Sequence, residues 1–207
     1  MKICETFRSI QGEGVMIGTV THFIRSAGCN LSCGWCDTKY SHQDGRDMSV
    51  PELTDIVRGD SNICVTGGEP LLQHDIYELL NALLKEGKNV VLETNGSVDI
   101  SNVPAHKDLM ISMDIKCPSS GMSDKMLASN ISYLKETDQL KFVIADVADM
   151  EYAASFVRSR EIRCSVIFTP VGGMDMGPLA EAVLKAGLNV RVLPQLHKII
   201  WGNRRSV

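Results

Sequence analysis

The sequence predicts an α/β fold on a mostly parallel sheet, an incomplete (reduced) β/α barrel. Three observations carry that prediction. Short β-branched apolar runs alternate with helical patterns along the chain, which implies parallel strands joined by right-handed crossovers. Seven such runs allow either a doubly wound sheet or an incomplete barrel. One connection, from Gly96 to Asp108, contains Asn102 and Pro104 and is too short and irregular for a crossover helix. That favours a reduced barrel over the complete eight-unit form of about 250 residues.

The elements follow in order. An N-terminal strand is expected over Ile3–Phe7 and the first parallel strand over Thr21–Arg25. A helix begins near Ser49, with Glu52 three residues on as a capping box. Ile63–Thr66 is the next strand. Asp75 to Glu86 is the clearest helix, because Ile76, Leu79, Leu80, Leu83 and Leu84 fall on one face and Gly87 follows as its stop. Strands are then expected over Val90–Glu93 and Met110–Ile115, with a helix over Ser123–Leu134. Next come a strand over Lys141–Ala145, a helix over Val147–Arg158 and a strand over Ser165–Phe168. Pro178–Ala186 is a helix with proline at its start and Gly187 at its end, and Val190–Leu193 is the last strand. With no low-complexity segment, long linker or composition break, residues 1–207 are expected to form one domain.

Composition narrows the function. Apolar residues make up 44% and charged residues 22% of 207, and the net charge is −4, which gives no field for nucleic acid. No apolar run approaches the roughly 18 residues of a membrane span, and MKICETFRSI lacks the apolar core of a signal peptide. A cytoplasmic enzyme with no nucleic-acid or membrane partner is expected. Seven cysteines are many for a reducing compartment. Cys64 and Cys164 sit in apolar runs and read as small buried hydrophobes.

Cys29, Cys33 and Cys36 are different, because they lie within eight residues as C-x3-C-x2-C after a strand. Thiolates are soft ligands for zinc or iron–sulfur clusters. A structural zinc site closes with four ligands, and no second cysteine or histidine pair is present to supply one. Three ligands on a 4Fe–4S cluster leave one iron open for a chelating ligand. The other polar and glycine-rich clusters, including Thr66-Gly67-Gly68-Glu69-Pro70, Glu93-Thr94-Asn95-Gly96, Asp114-Ile115-Lys116 and Gln195-Leu196-His197-Lys198, also follow strands. In parallel β/α folds that edge binds ligands. Glycines 67 and 68 let backbone approach a ligand closely, and Glu69 could accept hydrogen bonds from a ligand ammonium.

The cysteine spacing, with Trp35 just before the last cysteine, resembles the radical S-adenosylmethionine superfamily. FRSIQGEG, FIR, GCNLSCGWCDTKY, TGGEP, ETNG, DIKCPSSG and LPQLHK, in that order, resemble the 7-carboxy-7-deazaguanine synthases over almost the whole chain. The resemblance implies the radical S-adenosylmethionine type of barrel. It implies ring contraction of 6-carboxy-5,6,7,8-tetrahydropterin with loss of ammonia, a carbon–nitrogen lyase reaction feeding queuosine or archaeosine synthesis. S-adenosylmethionine, a 4Fe–4S cluster on the three cysteines and magnesium at Thr38 are the implied cofactors. Ile10, Gln11, Gly12, Glu13, Arg25, Thr66 and His197 would contact the substrate, with Arg25 offering a bidentate donor to its carboxylate. Trp35, Cys36, Asp37, Gly68, Glu69, Asp114, Ile115 and Lys116 would contact S-adenosylmethionine. Many members have Ser-Pro-Lys at the last three positions, of which only Lys116 is kept. An electron donor such as flavodoxin or ferredoxin and a homodimer are expected. Two other readings remain at this point: a different radical enzyme, such as a glycyl-radical activase, and a small zinc or iron–sulfur protein without enzyme activity.

Overall fold

The computed structural model describes residues 1–43 and 45–207. Among them, nine strands form one sheet. β1 (Lys2–Ile10) runs antiparallel to β2 (Val20–Ser26) and, at its start, to the two-residue β3 (Arg46–Asp47). From β2 onward every pairing is parallel, through β4 (Asn62–Gly67), β5 (Asn89–Thr94), β6 (Leu109–Ile115), β7 (Gln139–Ile144), β8 (Ser165–Pro170) and β9 (Arg191–Val192). The spatial order is β3-β1-β2-β4-β5-β6-β7-β8-β9. Each new parallel strand is added on the same side. A doubly wound sheet reverses at a switch point, so this order decides for the open, incomplete barrel.

Helices α1 (Val50–Ile56), α2 (Ile76–Lys85), α3 (Val147–Arg158) and α4 (Gly177–Ala186) accompany the sheet, and α5 (Leu196–Trp201) follows it. The expected capping box is formed: Ser49 N donates to Glu52 Oε2 at 2.7 Å and Glu52 N donates to the Ser49 hydroxyl at 3.4 Å. The five apolar residues of α2 are all buried. The helix expected over Ser123–Leu134 is not formed; 3-10 turns at Ser123–Lys125 and Ala128–Tyr133 stand in its place. Asn130 explains why. It is fully buried, with its amide donating to Val98 O at 2.8 Å and accepting from Ile100 N at 3.3 Å. Those tertiary bonds tie this stretch to the helix-free β5–β6 crossover instead of to a continuous helix.

Strand alternation sorts the side chains. One set, including Ile24, Ile63, Val65, Val90, Leu92, Ile111, Met113, Leu140 and Phe142, packs under the helices in the main core. The opposite set points into the barrel. Phe23, Cys64 and Val91 form a second small cluster there, closed by Phe7, Met16 and Met110. The Phe7 and Phe23 rings stack at 5.0 Å. One pleat nearer the C-terminal edge, the inward residues turn polar at Glu5, Arg25, Thr66, Glu93 and Ser112, and Asp114 and Lys141 follow one pleat further on. An apolar floor therefore sits below a charged layer.

β1 is longer than its sequence pattern indicates. Because it is antiparallel, its end delivers Gln11–Thr19 to the far edge of the sheet, where Gln11 N donates to Thr19 O at 2.7 Å and Gly18 N to Gln11 O at 2.8 Å. The segment then fills the barrel from that side, held by Val15 N donating to Gln139 Oε1 at 2.8 Å.

Candidate active site

The cysteine loop leaves β2 and is pinned from three sides. Glu69 N donates to Gly28 O at 2.9 Å, Gly28 N to Ser41 O at 2.8 Å and Gly34 N to Ser120 O at 3.0 Å. A Cβ on Gly68 would overlap the Gly28 carbonyl, so this glycine is required by the close approach of the two loops. The Trp35 indole donates to Ser119 Oγ at 3.1 Å, and Lys116 Nζ lies 5.5 Å from its ring centre. Cys29, Cys33 and Cys36 all face one cleft of about 500 Å³. Burial raises the Cys29 and Cys33 thiols, and the nearby Cys36 charge raises each further. Among the described residues, no three histidine, cysteine, aspartate or glutamate side chains converge on a single-ion site. Three unbridged soft donors on one wall suit a larger iron–sulfur group, to which thiolates would bind.

Charged side chains form the cleft's inner wall. Lys141 Nζ lies 2.7 Å from Glu93, 3.0 Å from Glu13 and 3.7 Å from Asp114, whose other oxygen takes Lys116 at 2.6 Å. Burial alone would raise the Glu13 carboxyl, but Lys141, His197 and the Gln195 amide override it and hold it at about 2. Glu93 is raised by burial despite Lys141. Burial also lowers the His197 imidazole below its ordinary value. Its ring packs so closely on Gly12 that a Cβ there would overlap it. Two ammoniums among three carboxylates leave negative charge uncompensated, and buried Asp114 Oδ1 has no hydrogen-bond partner. The interior is thus built to accept hydrogen bonds from a ligand.

The outer wall carries paired charges. Arg25 Nε donates to Glu5 at 2.7 Å, and Tyr40 and Ser206 hydroxyls donate to the same carboxylate at 2.9 and 2.7 Å. Arg205 lies 3.6 Å from the Tyr40 ring centre, bringing the C-terminal tail across the mouth. Lys198 pairs with Asp37 at 3.2 Å.

Most sequence-expected site residues meet here. Ile10, Gln11, Gly12, Glu13, Arg25, Thr66 and His197 line the cleft together with Trp35, Asp37, Thr38, Gly68, Asp114 and Lys116. Two do not. Ile115 turns its side chain into the main core at 1% exposure. Glu69 is wholly buried, and its carboxylate accepts from Leu71 N, the Thr94 hydroxyl and Asn95 N at 2.7–3.0 Å. It holds the ligand edge together from behind. Burial raises it to about 7 against those donors. Replacing Glu69 by Gln puts an NH2 group against N–H donors. At pH 8, where a carboxyl at about 7 is ionised, this change is expected to cost about 1–3 kcal/mol and lower the Tm by several degrees. An unchanged Tm would show that the acceptor is dispensable.

Sequence reasoning missed Glu5 and Lys141 and gave no individual role to Tyr40, Glu93 and Gln195, although its motifs and edge clusters contained them. The available signal was a single charge inside an apolar strand, as in Asn-Val-Val-Leu-Glu-Thr and Gln-Leu-Lys-Phe-Val-Ile. Such a residue must face either solvent or a polar interior.

An open β/α barrel with three thiols at its C-terminal edge defines a radical S-adenosylmethionine enzyme. The Radical SAM superfamily model matches residues 23–120. The 7-carboxy-7-deazaguanine synthase of Thermoplasma acidophilum is 42% identical over 205 residues, covering 98% of both chains. That of Methanospirillum hungatei is 44% identical over 203 residues, covering 97% of this chain and 85% of its own. The crystal structure of QueE from Escherichia coli superposes with a TM-score of 0.76 at 23% identity, over 95% of this chain and 94% of that one, a likeness of fold. The chain belongs to the 7-carboxy-7-deazaguanine synthase family. The superfamily implies a 4Fe–4S cluster and S-adenosylmethionine as cofactors. No helix among the described residues is long and apolar enough to cross a membrane.

Proposed function

We propose that this enzyme contracts the ring of 6-carboxy-5,6,7,8-tetrahydropterin to 7-carboxy-7-deazaguanine with loss of ammonia, as a carbon–nitrogen lyase. The observation that carries this reading is the polarity of the cleft. Arg25 projects from β2, and the depressed Glu13 carboxylate is held by Lys141 of β7, four strands along the sheet. A molecule with a carboxylate at one end and a row of N–H donors at the other fits that polarity. The guanidinium gives Nε to Glu5 and keeps its other donors for a carboxylate. Glu13, with Gln11 and the backbone of residues 10–12, faces the donor edge. His197 and Thr66 add hydrogen-bonding groups along the cleft.

Cys29, Cys33 and Cys36 would hold the cluster, and Trp35, Asp37, Gly68, Asp114 and Lys116 surround the adjoining space. When bound, the cluster and S-adenosylmethionine supply a hydrogen-abstracting 5′-deoxyadenosyl radical. The chain must then exclude water and keep the substrate in one orientation. The Phe7–Phe23 floor and the tail residues Arg205 and Ser206 do this from below and above. The tail also narrows the mouth, which favours a small substrate over the peptide of a glycyl-radical activase. Thr38 on the cleft wall would offer a magnesium ion one hard oxygen. A flavodoxin- or ferredoxin-type donor would supply the electron.

The test is anaerobic reconstitution, reduction and addition of S-adenosylmethionine with the pterin. The deazaguanine product is the expected result. Cleavage to 5′-deoxyadenosine without product would overturn the substrate and leave another radical reaction. No cleavage would sink both.

A further inference from the structure

Lys141 has no explanation in packing. Its side chain is 7% exposed and lies on the inward face of β7, level with Asp114 on the neighbouring β6. Burying an ammonium is unfavourable unless close carboxylates offset it, and an apolar residue would fill the barrel more simply. The position does, however, join the two halves of the cleft. Glu13, at 3.0 Å, belongs to the segment read above as the substrate loop. Asp114, at 3.7 Å, belongs to the wall that carries Lys116 and adjoins the cysteine loop. Glu93 lies between them at 2.7 Å.

Hydrogen bonds extend the junction into a ring. Ser112 Oγ donates to Glu93 at 2.8 Å, Gln139 Nε2 donates to Ser112 Oγ at 2.7 Å, and Gln139 Oε1 accepts from Val15 N at 2.8 Å. Val15 is two residues from Glu13, so the ring closes through the loop itself. Without the ammonium, Glu13 and Glu93 would face each other as like charges, and the loop would lose its grip on the barrel.

We propose that Lys141 is a positioning residue for substrate recognition: it holds the Glu13 carboxylate aimed into the cleft, so that Glu13 accepts N–H donors of a flat heterocycle at a set distance from the cofactor wall. This rests on the reading of Gln11–Glu13 as the substrate loop.

Lys141→Met removes the charge and leaves two carboxylates unpaired, a change that can unfold the barrel by itself. The decisive protein is the double variant Lys141→Met/Glu93→Gln, which buries less uncompensated charge, with Lys141→Arg as the conservative control. The measurements are equilibrium dialysis of 6-carboxytetrahydropterin and, separately, of S-adenosylmethionine against the unreduced holoenzyme, followed by KM and kcat. In the double variant, pterin affinity should fall about 100-fold with KM rising in step. S-adenosylmethionine binding should stay near wild type, and Lys141→Arg should recover most of the pterin affinity. Unchanged pterin affinity in the double variant overturns the proposal. So does equal loss of both ligands, or a failure of the double variant to fold, since either marks Lys141 as structural only. Wild-type enzyme that binds no pterin overturns the substrate reading, and the inference with it.

Discussion

Replacing Cys33 by Ala is expected to abolish S-adenosylmethionine cleavage while leaving the fold in place. The loop does not depend on a metal for its shape. Trp35 is tied to Ser119, whose hydroxyl and N–H both donate to the buried Asp149 at the start of α3. Gly28 and Gly34 are held by neighbouring loops, and Leu31 N donates to Cys29 Sγ at 3.4 Å. Removing one buried thiol deletes a single sulfur from this frame, a change of about 1 kcal/mol in stability. Its effect on the cluster is total, because two thiols cannot define three corners. The variant should keep the wild-type circular dichroism and elute as wild type. After anaerobic reconstitution it should carry far less iron, lack the sulfur-to-iron absorbance and release no 5′-deoxyadenosine. Cleavage that survives would refute the assignment of the three cysteines. A colourless wild-type protein that takes up zinc and cleaves nothing would restore the non-enzymatic alternative.

The parts of this site that were legible in the sequence are those whose chemistry is local. C-x3-C-x2-C lies in one loop, the Ser49–Glu52 box spans one helical turn, and the apolar face of α2 repeats at helical spacing. The charged interior was not legible for a physical reason. Strands buried on both faces read as continuous apolar runs, so Glu93 and Lys141 stand out only as isolated interruptions. Their meaning depends on partners that chain order separates: Lys141 meets Glu13 across 128 positions, and Ser206 meets Glu5 across 201. Glu69 and Ile115 show the converse. Both sit within motifs of the ligand edge, yet period-2 alternation turns Ile115 into the core. The N–H groups of Leu71 and Asn95 claim the Glu69 carboxylate from behind. A motif places a residue near a site, while strand register and hydrogen bonding decide which way it faces.

Replacing Arg25 by Met is expected to raise the KM for the pterin by about 100-fold or more, because a bidentate, charge-assisted contact to a carboxylate is lost in a water-poor cleft. Lysine should not rescue it, since a point charge cannot reproduce the fork. Cleavage of S-adenosylmethionine in the absence of pterin should persist, which separates this change from Cys33→Ala. The variant also carries a stability signature that depends on pH. Burial would raise the Glu5 carboxyl, but the Ser206 hydroxyl and Arg25, together with Tyr40, hold it below its ordinary 4.5. A carboxyl depressed in the folded state contributes stability that is present above 4.5 and lost as pH falls through the lowered value. Without Arg25, burial is opposed only by the two hydroxyls, and that contribution shrinks or reverses. The destabilisation, about 1–3 kcal/mol for a carboxylate that keeps two donors, should therefore be largest near neutral pH. It should narrow as the pH is lowered through 4.5, where Glu5 takes up a proton more readily in the variant. Urea unfolding of both proteins across that range reads the difference directly. A penalty that stays constant with pH would mean that Arg25 stabilises the barrel through its packing on Phe7, 5.8 Å from the guanidinium, and not through Glu5. An unchanged KM would remove Arg25 from the substrate site and with it the polarity on which the proposed substrate rests.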